Sequence, residues 1–309
     1  MSTSPLTIAI TGANSGIGLR AAVLLAREGH RVYALCRDPG RGRAALEAIN
    51  RTAASHRARL VIVDMADSGA IDLAAARVAE EVTHLDLLIN NAAVFDQAIR
   101  EPRFTSAGHE LFWATNHLGP HRLAAALSPL LAAAPRPRLI SVASKGLISM
   151  PRIKIRFDRL DDPSWYSPAK AYYHAKLAQI MTTYHLALHT EGRLDVACVR
   201  VPQVRLDPER VAAMPRPLRM LYASARVMSA PPERLGQTYA SVAGRDETWD
   251  ACADPAGDER ARLRGIYIDE NLRPVNAPAF AYQAAARARL WTLTQQATGN
   301  PRWAVLEGA

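Results

Sequence analysis

Tyr172 and Lys176 are the two side chains whose spacing points most directly to chemistry. They stand four residues apart in a stretch, 169–190, whose apolar periodicity predicts a helix, and residues i and i+4 share one helix face. A free tyrosine has a pKa of about 10 and is a poor general base at neutral pH. A neighbouring ammonium group favours the phenolate and lowers the pKa of the tyrosine. The pair is therefore suited to proton transfer, whereas Tyr173 has the wrong spacing and is expected to point elsewhere.

A serine hydroxyl group at the end of a strand would complement this pair. Ser144 follows a predicted strand over 138–142, so it is expected at the carboxyl edge of a sheet, where α/β proteins bind ligands. There its hydroxyl group can donate a hydrogen bond to a substrate oxygen that gains negative charge. Ser141, inside the same strand, is the competing serine.

A glycine-rich segment, Thr11–Gly18 (TGANSGIG), separates the first predicted strand from the first predicted helix. Gly12 permits a tight turn, Gly16 lets the backbone approach a pyrophosphate, and Gly18 lets the helix pack closely on the sheet. The free N–H groups and the positive end of the helix then attract the anion. The alternative is a plain turn, but the position after the first strand favours a dinucleotide site. The loop residues predicted to contact the cofactor are Gly12, Asn14, Ser15, Gly16, Ile17 and Gly18.

The residue after the second predicted strand bears on cofactor choice. NAD enzymes favour an acidic residue there to bind the ribose 2′-hydroxyl group, whereas an arginine suits the 2′-phosphate of NADP. Here the strand 31–36 is followed by Arg37, and Arg41 can add to its charge. The sequence therefore predicts NADP(H), with NAD(H) less favoured. The alternative is that Arg37 is an exposed surface arginine and that the adjacent Asp38 decides the preference.

Short apolar strands alternate with amphipathic helices, which predicts a parallel sheet covered on both faces. Right-handed crossovers then give an α/β, doubly wound Rossmann fold with a mostly parallel sheet of about seven strands. The strands are predicted at 6–11, 31–36, 60–64, 85–90, 138–142, 194–199 and 265–268, and the helices at 17–28, 41–50, 71–81, 106–131, 169–190 and 277–296. One domain is expected over 1–309, in which 1–144 mainly binds the cofactor and 145–309 carries the catalytic helix, the substrate loops and a C-terminal extension.

The composition disfavours several classes of function. The 309 residues carry a formal net charge of +9, yet no block of lysine and arginine is interleaved with aromatic residues, so nucleic-acid binding is not expected. No run reaches the ~18 apolar residues of a membrane span, and Met1–Pro5 is too short and polar for a signal peptide. The cysteines, Cys36, Cys198 and Cys252, are odd in number and far apart. We therefore expect reduced thiols and a cytoplasmic protein.

Two further signals are weaker. His117 and His121 have the i, i+4 spacing of metal ligands, but no third ligand supports them and Pro120 lies between them, so no metal site is predicted. The segment 214–228 (MPRPLRMLYASARVM) mixes basic and apolar residues and could touch a membrane surface. A lid over an apolar substrate is the preferred interpretation.

Five motifs along the chain together resemble the short-chain dehydrogenase/reductase superfamily. They are Thr11–Gly18, Asn90–Ala93 (NNAA), Thr115–Gly119 (TNHLG), the strand 138–144 (RLISVAS) and Tyr172–Lys176 (YYHAK). The resemblance implies a Rossmann fold and hydride transfer between a nicotinamide and a small-molecule carbonyl or alcohol. It also selects Ser144 rather than Ser141 as the catalytic serine.

The resemblance assigns further roles. Asn116 would anchor a water that links Lys176 to solvent, so the implied catalytic set is Asn116, Ser144, Tyr172 and Lys176. Asp64 and Met65, at the end of the third strand, would contact the adenine. The other implied cofactor contacts are Asn90, Asn91, Ala92, Tyr172, Lys176 and Pro202. The dimers and tetramers common in the superfamily imply a homodimer or homotetramer.

The segments 171–179 (AYYHAKLAQ) and 229–238 (SAPPERLGQT) are similar to the retinol-dehydrogenase-like branch. That branch implies a lipophilic alcohol or carbonyl substrate without implying retinol. The sequence departs from the superfamily at Ala93 and at Gln203, each of which replaces a glycine, and no threonine follows Gln203. The preferred function is an NADP(H)-dependent ketoreductase or alcohol dehydrogenase. Two alternatives stay open: an epimerase, dehydratase or cyclase on the same scaffold, and a non-catalytic nucleotide-sensing protein.

Overall fold

The computed structural model describes residues 4–160, 162–205, 229–244 and 259–307, together with positions 211, 212, 216, 219 and 222. The proposed lid, 214–228, falls outside the described residues except at three of these single positions, and Cys252 falls outside them altogether. Cys36 and Cys198 are buried and carry free thiols.

Seven parallel strands form one sheet in the order β3-β2-β1-β4-β5-β6-β7. They are β1 (Thr7–Thr11), β2 (Arg31–Cys36), β3 (Arg59–Ile62), β4 (Leu87–Asn90), β5 (Arg138–Ser144), β6 (Asp195–Val201) and β7 (Tyr267–Asp269). The strand order reverses between β1 and β4, and this switch point is where doubly wound sheets bind ligands. The predicted doubly wound Rossmann fold is confirmed, and the sheet is wholly parallel.

Ten α-helical segments accompany the sheet in the described part of the chain. They are α1 (Gly16–Arg27), α2 (Pro39–Asn50), α3 (Ser68–Glu81), α4 (Leu111–Trp113), α5 (Gly119–Ala126), α6 (Ser128–Ala132), α7 (Pro168–His189), α8 (Pro232–Gly244), α9 (Glu259–Ile266) and α10 (Ala284–Ala297). A π-helical segment, Ala114–Leu118, joins α4 to α5. Short 3₁₀ turns lie at Lys145–Ser149, Phe157–Arg159, Pro163–Trp165 and Ala279–Tyr282.

The sheet is buried on both faces, which explains why its strands are continuous apolar runs. Successive residues of β5 face opposite sides: Leu139 and Ala143 pack with α3, α7 and α10, whereas Ile140 and Val142 pack with α1 and α8. Because the side-chain period of a strand is two residues, one strand serves both cores.

One predicted helix is broken, and the break falls at a proposed site residue. The stretch 106–131 was expected to be one helix, but it begins at Leu111 and passes through the π-helical segment before α5 and α6. Pro120 has no N–H group, so it cannot donate to the carbonyl of Asn116 as a regular α-helix requires. The periodicity of the apolar residues does not reveal this change of hydrogen-bond register.

The other strands and helices differ less from their predicted boundaries. β3 ends at Ile62, so Asp64 follows the strand rather than ending it, and β5 continues to Ser144, which is its last residue rather than the residue after it. The predicted tail helix over 277–296 divides into the 3₁₀ turn and α10.

Candidate active site

The glycine-rich loop joins β1 to α1 at the carboxyl edge of the sheet. Gly12 and Gly16 have positive φ angles of 68° and 53°, the left-handed region that glycine adopts at least cost. Gly18 lies against the loop, because a Cβ atom there would be 2.5 Å from the carbonyl oxygen of Gly12. Ser15 occupies the N-cap position of α1, but its side chain makes no capping hydrogen bond, and the first turn of α1 holds no acidic residue. The loop therefore fits an anionic pyrophosphate.

The loop after β4 is fastened to this glycine-rich loop by Thr11. The Thr11 hydroxyl oxygen accepts hydrogen bonds from the backbone N–H groups of Asn91 (3.0 Å) and Ala92 (2.9 Å). The side-chain amide of Asn91 donates back to the Thr11 carbonyl at 2.9 Å. Tyr239 of α8 donates to the other end of that amide at 3.3 Å. The two loops expected to hold the cofactor therefore form one hydrogen-bonded unit.

The end of β2 presents cationic side chains, while its acidic neighbour is engaged elsewhere. Asp38 is the N-cap of α2, and its side chain accepts a hydrogen bond from the backbone N–H of Arg41 at 2.8 Å. Arg37 and Arg41 are both exposed, and neither forms an ion pair with any residue that the structure describes. A carboxylate committed to a helix N-terminus is a poor partner for a ribose hydroxyl group, so the available charge at this position is positive.

The remaining residues predicted to contact the cofactor lie at the same edge. Asp64 and Met65 follow β3, and the Met65 carbonyl lies so close to α5 that a Cβ atom on Gly119 would be 2.0 Å from it. Asn90 ends β4 and is buried. Pro202 follows β6 directly after the residue that is paired with Ser144.

Tyr172 lies near the start of α7 in an aromatic enclosure. Its ring centroid is 4.4 Å from that of Phe95 and 5.2 Å from that of Tyr173. Its hydroxyl group is within hydrogen-bonding reach of Ser144, so these two residues share the carboxyl edge of β5. Burial raises the pKa of Tyr172 above its ordinary value, Tyr173 raises it further, and the hydrogen bond to Ser144 opposes the shift. The phenol is therefore protonated at neutral pH.

Lys176 shares the helix face of Tyr172 but directs its ammonium group toward the sheet. Nζ donates to the carbonyl of Val142 at 2.7 Å and to Oε1 of Gln179 at 2.8 Å. It lies 5.8 Å from the ring centroid of Tyr172. Burial lowers the pKa of Lys176 to about 8. In this structure the desolvation of the phenol dominates the pKa of Tyr172, and Lys176 is not among the groups that shift it, so the lowering of this pKa by Lys176 stays a prediction.

Asn116 lies in the π-helical segment and is fully buried. Its side-chain amide is occupied by one residue: Oδ1 accepts from the backbone N–H of Val94 at 2.7 Å, and Nδ2 donates to the Val94 carbonyl at 2.9 Å. This pairing holds the segment that carries Phe95 against Tyr172. A water bound by Asn116 would therefore contact its main-chain carbonyl, from which Pro120 withholds the usual α-helical donor.

Sequence comparison identifies a family and several curated proteins that are similar to this chain. Residues 6–153 match the short chain dehydrogenase family. Retinol dehydrogenase 11 from Mus musculus is 35% identical over 183 residues, which cover 59% of this chain and 56% of that protein. Dehydrogenase/reductase SDR family member 13 from Bos taurus is 33% identical over 189 residues, covering 60% of this chain and 48% of that protein. The matched region thus spans about half the length of these curated relatives.

Residues 6–153 therefore carry the sequence pattern of the short chain dehydrogenase family.

Solved structures support the assignment of the fold. A protein of unassigned function from Mycobacterium Paratuberculosis superposes with a TM-score of 0.67 at 25% identity, covering 98% of this chain and 96% of that chain. L-Sorbose reductase from Gluconobacter frateurii, in complex with NADPH and L-sorbose, superposes with a TM-score of 0.63 at 20% identity, covering 87% of this chain and 98% of that chain. The curated relatives that match this chain include retinol dehydrogenases 11 and 12 from Mus musculus.

Tyr173 does not point away from the site as the helical spacing predicted. Its hydroxyl group is also within hydrogen-bonding reach of Ser144. A Cβ atom on Gly146 would lie 2.1 Å from that hydroxyl oxygen, so Tyr173 packs against the turn that follows β5. The error arises because the turn after Ser144 folds over the start of α7, a long-range contact that the spacing of residues within α7 does not encode.

Gln203 stands where the superfamily has glycine, but its side chain is not buried there. Its side chain is exposed, and its carbonyl accepts a hydrogen bond from the N–H of Ala230 at 2.8 Å.

Among the described residues, no group of three or more histidine, cysteine, aspartate or glutamate side chains is placed to bind a metal. His117 instead contacts Thr294 at 2.8 Å.

Several residues that shape the site could not be recognised from the sequence. Phe95 encloses Tyr172, and Tyr239 supports Asn91 from a distant helix. His174 is buried, and its Nε2 accepts from the backbone N–H of Arg156 at 2.9 Å, which fastens the irregular segment before α7 to that helix. Burial lowers the pKa of His174 to about 3, so it is neutral. The only sequence feature that pointed to a role for His174 was its place within the Tyr172–Lys176 motif.

A glycine-to-alanine pair tests the loop. In Gly18→Ala, the new Cβ atom would meet both the Gly12 carbonyl at 2.5 Å and Asn91 Nδ2 at 2.6 Å, so we expect a loss of about 1–3 kcal/mol in the free energy of unfolding. We also expect weaker nucleotide binding. Gly244→Ala is the control, because a methyl group there meets no described atom within 4 Å. Denaturant unfolding and NADPH titration of both variants provide the measurements, and equal behaviour of the two would contradict the close approach.

Proposed function

We propose that this chain is an NADP(H)-dependent oxidoreductase that interconverts a lipophilic carbonyl compound and its alcohol. The observation that carries the proposal is the meeting of Tyr172 and Ser144 at the carboxyl edge of β5, with Lys176 on the same helix face. This edge also carries the glycine-rich loop. A proton donor and a nucleotide-binding loop therefore lie at the same edge of the sheet, as carbonyl reduction requires.

Each residue has a distinct task in this proposal. A bound nicotinamide would supply or accept the hydride. Tyr172, protonated because it is buried, donates its proton to the substrate oxygen in the reductive direction. Ser144 holds that oxygen by a hydrogen bond while negative charge develops on it. Lys176 keeps a cation close to the phenol, and the main-chain carbonyl of Asn116 is the proposed anchor of the water that returns the proton.

The preference for NADP(H) rests on the end of β2. Arg37 and Arg41 offer exposed guanidinium groups, which bind phosphate by charge-assisted hydrogen bonds. Asp38 caps α2, so its carboxylate is not available to the ribose in the way that NAD enzymes use an acidic residue. This arrangement favours a 2′-phosphate over a free 2′-hydroxyl group.

A mostly apolar cavity supports a lipophilic substrate. It has a volume of about 570 Å³ and begins at Leu147, in the turn that follows Ser144. Ile148, Tyr267 and Val275 add apolar surface, while Arg200 and Arg264 add two cations. Two of the relatives are named retinol dehydrogenases, and retinol is a lipophilic alcohol. The cavity is large enough for a substrate of that class, and no feature of it specifies retinol.

The direct test is carbonyl turnover. The purified protein is incubated with NADPH and a panel of lipophilic aldehydes and ketones, and nucleotide consumption is compared with alcohol formed. We expect one alcohol for each NADPH consumed and slower turnover with NADH. If NADPH binds but no carbonyl or alcohol in the panel is turned over in either direction, the oxidoreductase proposal fails.

A further inference from the structure

A small internal cavity lies behind the active site, between the sheet and the α5, α7 and C-terminal segments. Its volume is about 20 Å³, enough for one water molecule. Asn90 of β4, His121 of α5, Gln179 and Thr182 of α7, and Trp303 contribute to its wall. Tyr172 does not line this cavity, but Gln179 connects the cavity to Lys176.

Four polar atoms at this cavity lack a partner. Asn90 Oδ1, His121 Nδ1, Gln179 Nε2 and Thr182 Oγ1 are buried and make no hydrogen bond with any described residue. A buried polar atom without a partner is destabilising, because the hydrogen bonds that it lost with water are not replaced. Four such atoms around one cavity therefore indicate a polar ligand that satisfies them together.

The hydrogen-bonding character of each atom can be assigned. Asn90 donates through Nδ2 to the Pro120 carbonyl at 3.3 Å, so its free Oδ1 is an acceptor. Gln179 accepts from Lys176 through Oε1, so its free Nε2 is a donor. The Thr182 hydroxyl group can donate.

His121 needs its tautomer to be decided. Its Nε2 lies 2.8 Å from Oε1 of Gln295, which also accepts a hydrogen bond from the Trp303 indole at 3.3 Å. Gln295 Nε2 donates to the Pro301 carbonyl, so the atom facing His121 is the oxygen. His121 must therefore donate through Nε2–H, which leaves Nδ1 as an acceptor. Burial lowers the pKa of His121 to about 4, so the ring is neutral.

We propose that one internal water occupies this cavity and, by holding the amide of Gln179, positions the Gln179 carbonyl oxygen on Lys176. The water donates its two hydrogens to Asn90 Oδ1 and His121 Nδ1. It accepts from Gln179 Nε2 and from the Thr182 hydroxyl group. Two acceptors and two donors match the four hydrogen bonds of one water, which no single cation or anion could satisfy.

The water fixes which end of the Gln179 amide faces the ammonium group. If the amide were reversed, its NH₂ group would face Lys176 and oppose the charged form. In the orientation observed, the oxygen accepts from Nζ and stabilises the protonated lysine. Gln179 is therefore a positioning residue for Lys176; this role, unlike the water site itself, rests on the proposed oxidoreductase function.

The water site has a direct structural test that does not depend on activity. A crystal structure of the full chain, at a resolution that shows ordered water, should reveal one water within hydrogen-bonding distance of all four atoms. Thr182→Val, which removes one of the four partners, should lower the occupancy of that water. A dry cavity, or a Gln179 amide turned away from it, would overturn the proposal.

The positioning role has a kinetic test. Reduction needs protonated Lys176 in this scheme, so kcat should fall as pH rises through the pKa of Lys176, about 8. Gln179→Met removes the acceptor, so the midpoint of this fall should move to lower pH by about one unit or more. Thr182→Val should move it in the same direction by less.

Thr183→Val is the matched control for these variants. Thr183 is the next residue of α7, but its hydroxyl group donates to the Gln179 main-chain carbonyl at 2.8 Å and does not line the cavity. Its substitution should leave the pH midpoint where it is in the unmodified protein. A midpoint unmoved in Gln179→Met would refute the positioning role, even with the water present. Failure of every variant and of the unmodified protein to reduce any carbonyl would refute the proposed function instead.

Discussion

Tyr172→Phe should reduce kcat for carbonyl reduction by about 10²- to 10⁴-fold, the contribution of a positioned general acid. The substitution removes only the hydroxyl group, so the ring can keep its contact with Phe95, whose centroid lies 4.4 Å away. The fold and the nucleotide-binding loop should therefore persist. Steady-state kinetics with NADPH measure the loss, and circular dichroism with nucleotide titration verifies that structure and binding are retained.

Tyr173→Phe is the matched control for this prediction. It makes the same chemical change one residue later, and the Tyr173 hydroxyl group also reaches Ser144. Tyr173 is not on the helix face of Lys176, so its variant loses one hydrogen bond and no proton donor. We expect its kcat to fall by less than about tenfold. Equal losses in the two variants would contradict the assignment of Tyr172 as the proton donor.

The difference between the two tyrosines shows what residue spacing can and cannot predict. Spacing within one helix correctly put Tyr172 and Lys176 on one face, because helix geometry is local. It was wrong about Tyr173, because that residue's partner is the turn after β5, nearly thirty positions earlier in the chain. The acceptors of Lys176 were likewise unpredictable: Val142 lies 34 positions away.

The fold was more predictable than the site for a related reason. Buried parallel strands must be apolar along their whole length, so β1, β2 and β4 are visible as short apolar runs. The break in the predicted helix 106–131 was not visible, since a π-helical turn changes the hydrogen-bond register without changing the apolar pattern. Pro120 was the available clue, and its consequence falls on Asn116.

The internal cavity illustrates the limit of local patterns. His121 pairs with Gln295 across 174 positions of sequence, and Gln179 meets the same cavity from α7. Only the assembled core brings these polar atoms together. The sequence nevertheless constrained their interpretation, since the spacing of His117 and His121 suggested metal ligands and the contacts of His121 instead give a neutral ring with a fixed tautomer.

The cofactor preference gives the second large expected effect. Arg37 is exposed at the end of β2, and its neighbour Asp38 is committed to capping α2. A guanidinium group that contacts a phosphate makes charge-assisted hydrogen bonds worth about 1.5–3 kcal/mol. Such a contact would be made to NADPH and not to NADH, so its loss should weaken the binding of NADPH only.

Arg37→Ala should therefore weaken NADPH binding by roughly ten- to hundredfold while leaving NADH binding nearly unchanged. Arg51→Ala is the control, because it removes the same charge at the other end of α2, about 18 Å away along the helix and beyond the screening length at physiological salt. Titration calorimetry of both nucleotides with the three proteins gives the comparison. An equal loss of NADPH and NADH affinity in Arg37→Ala would mean that the arginine supports the loop rather than the 2′-phosphate. A wild-type preference for NADH would assign the end of β2 to NAD, despite the capping role of Asp38.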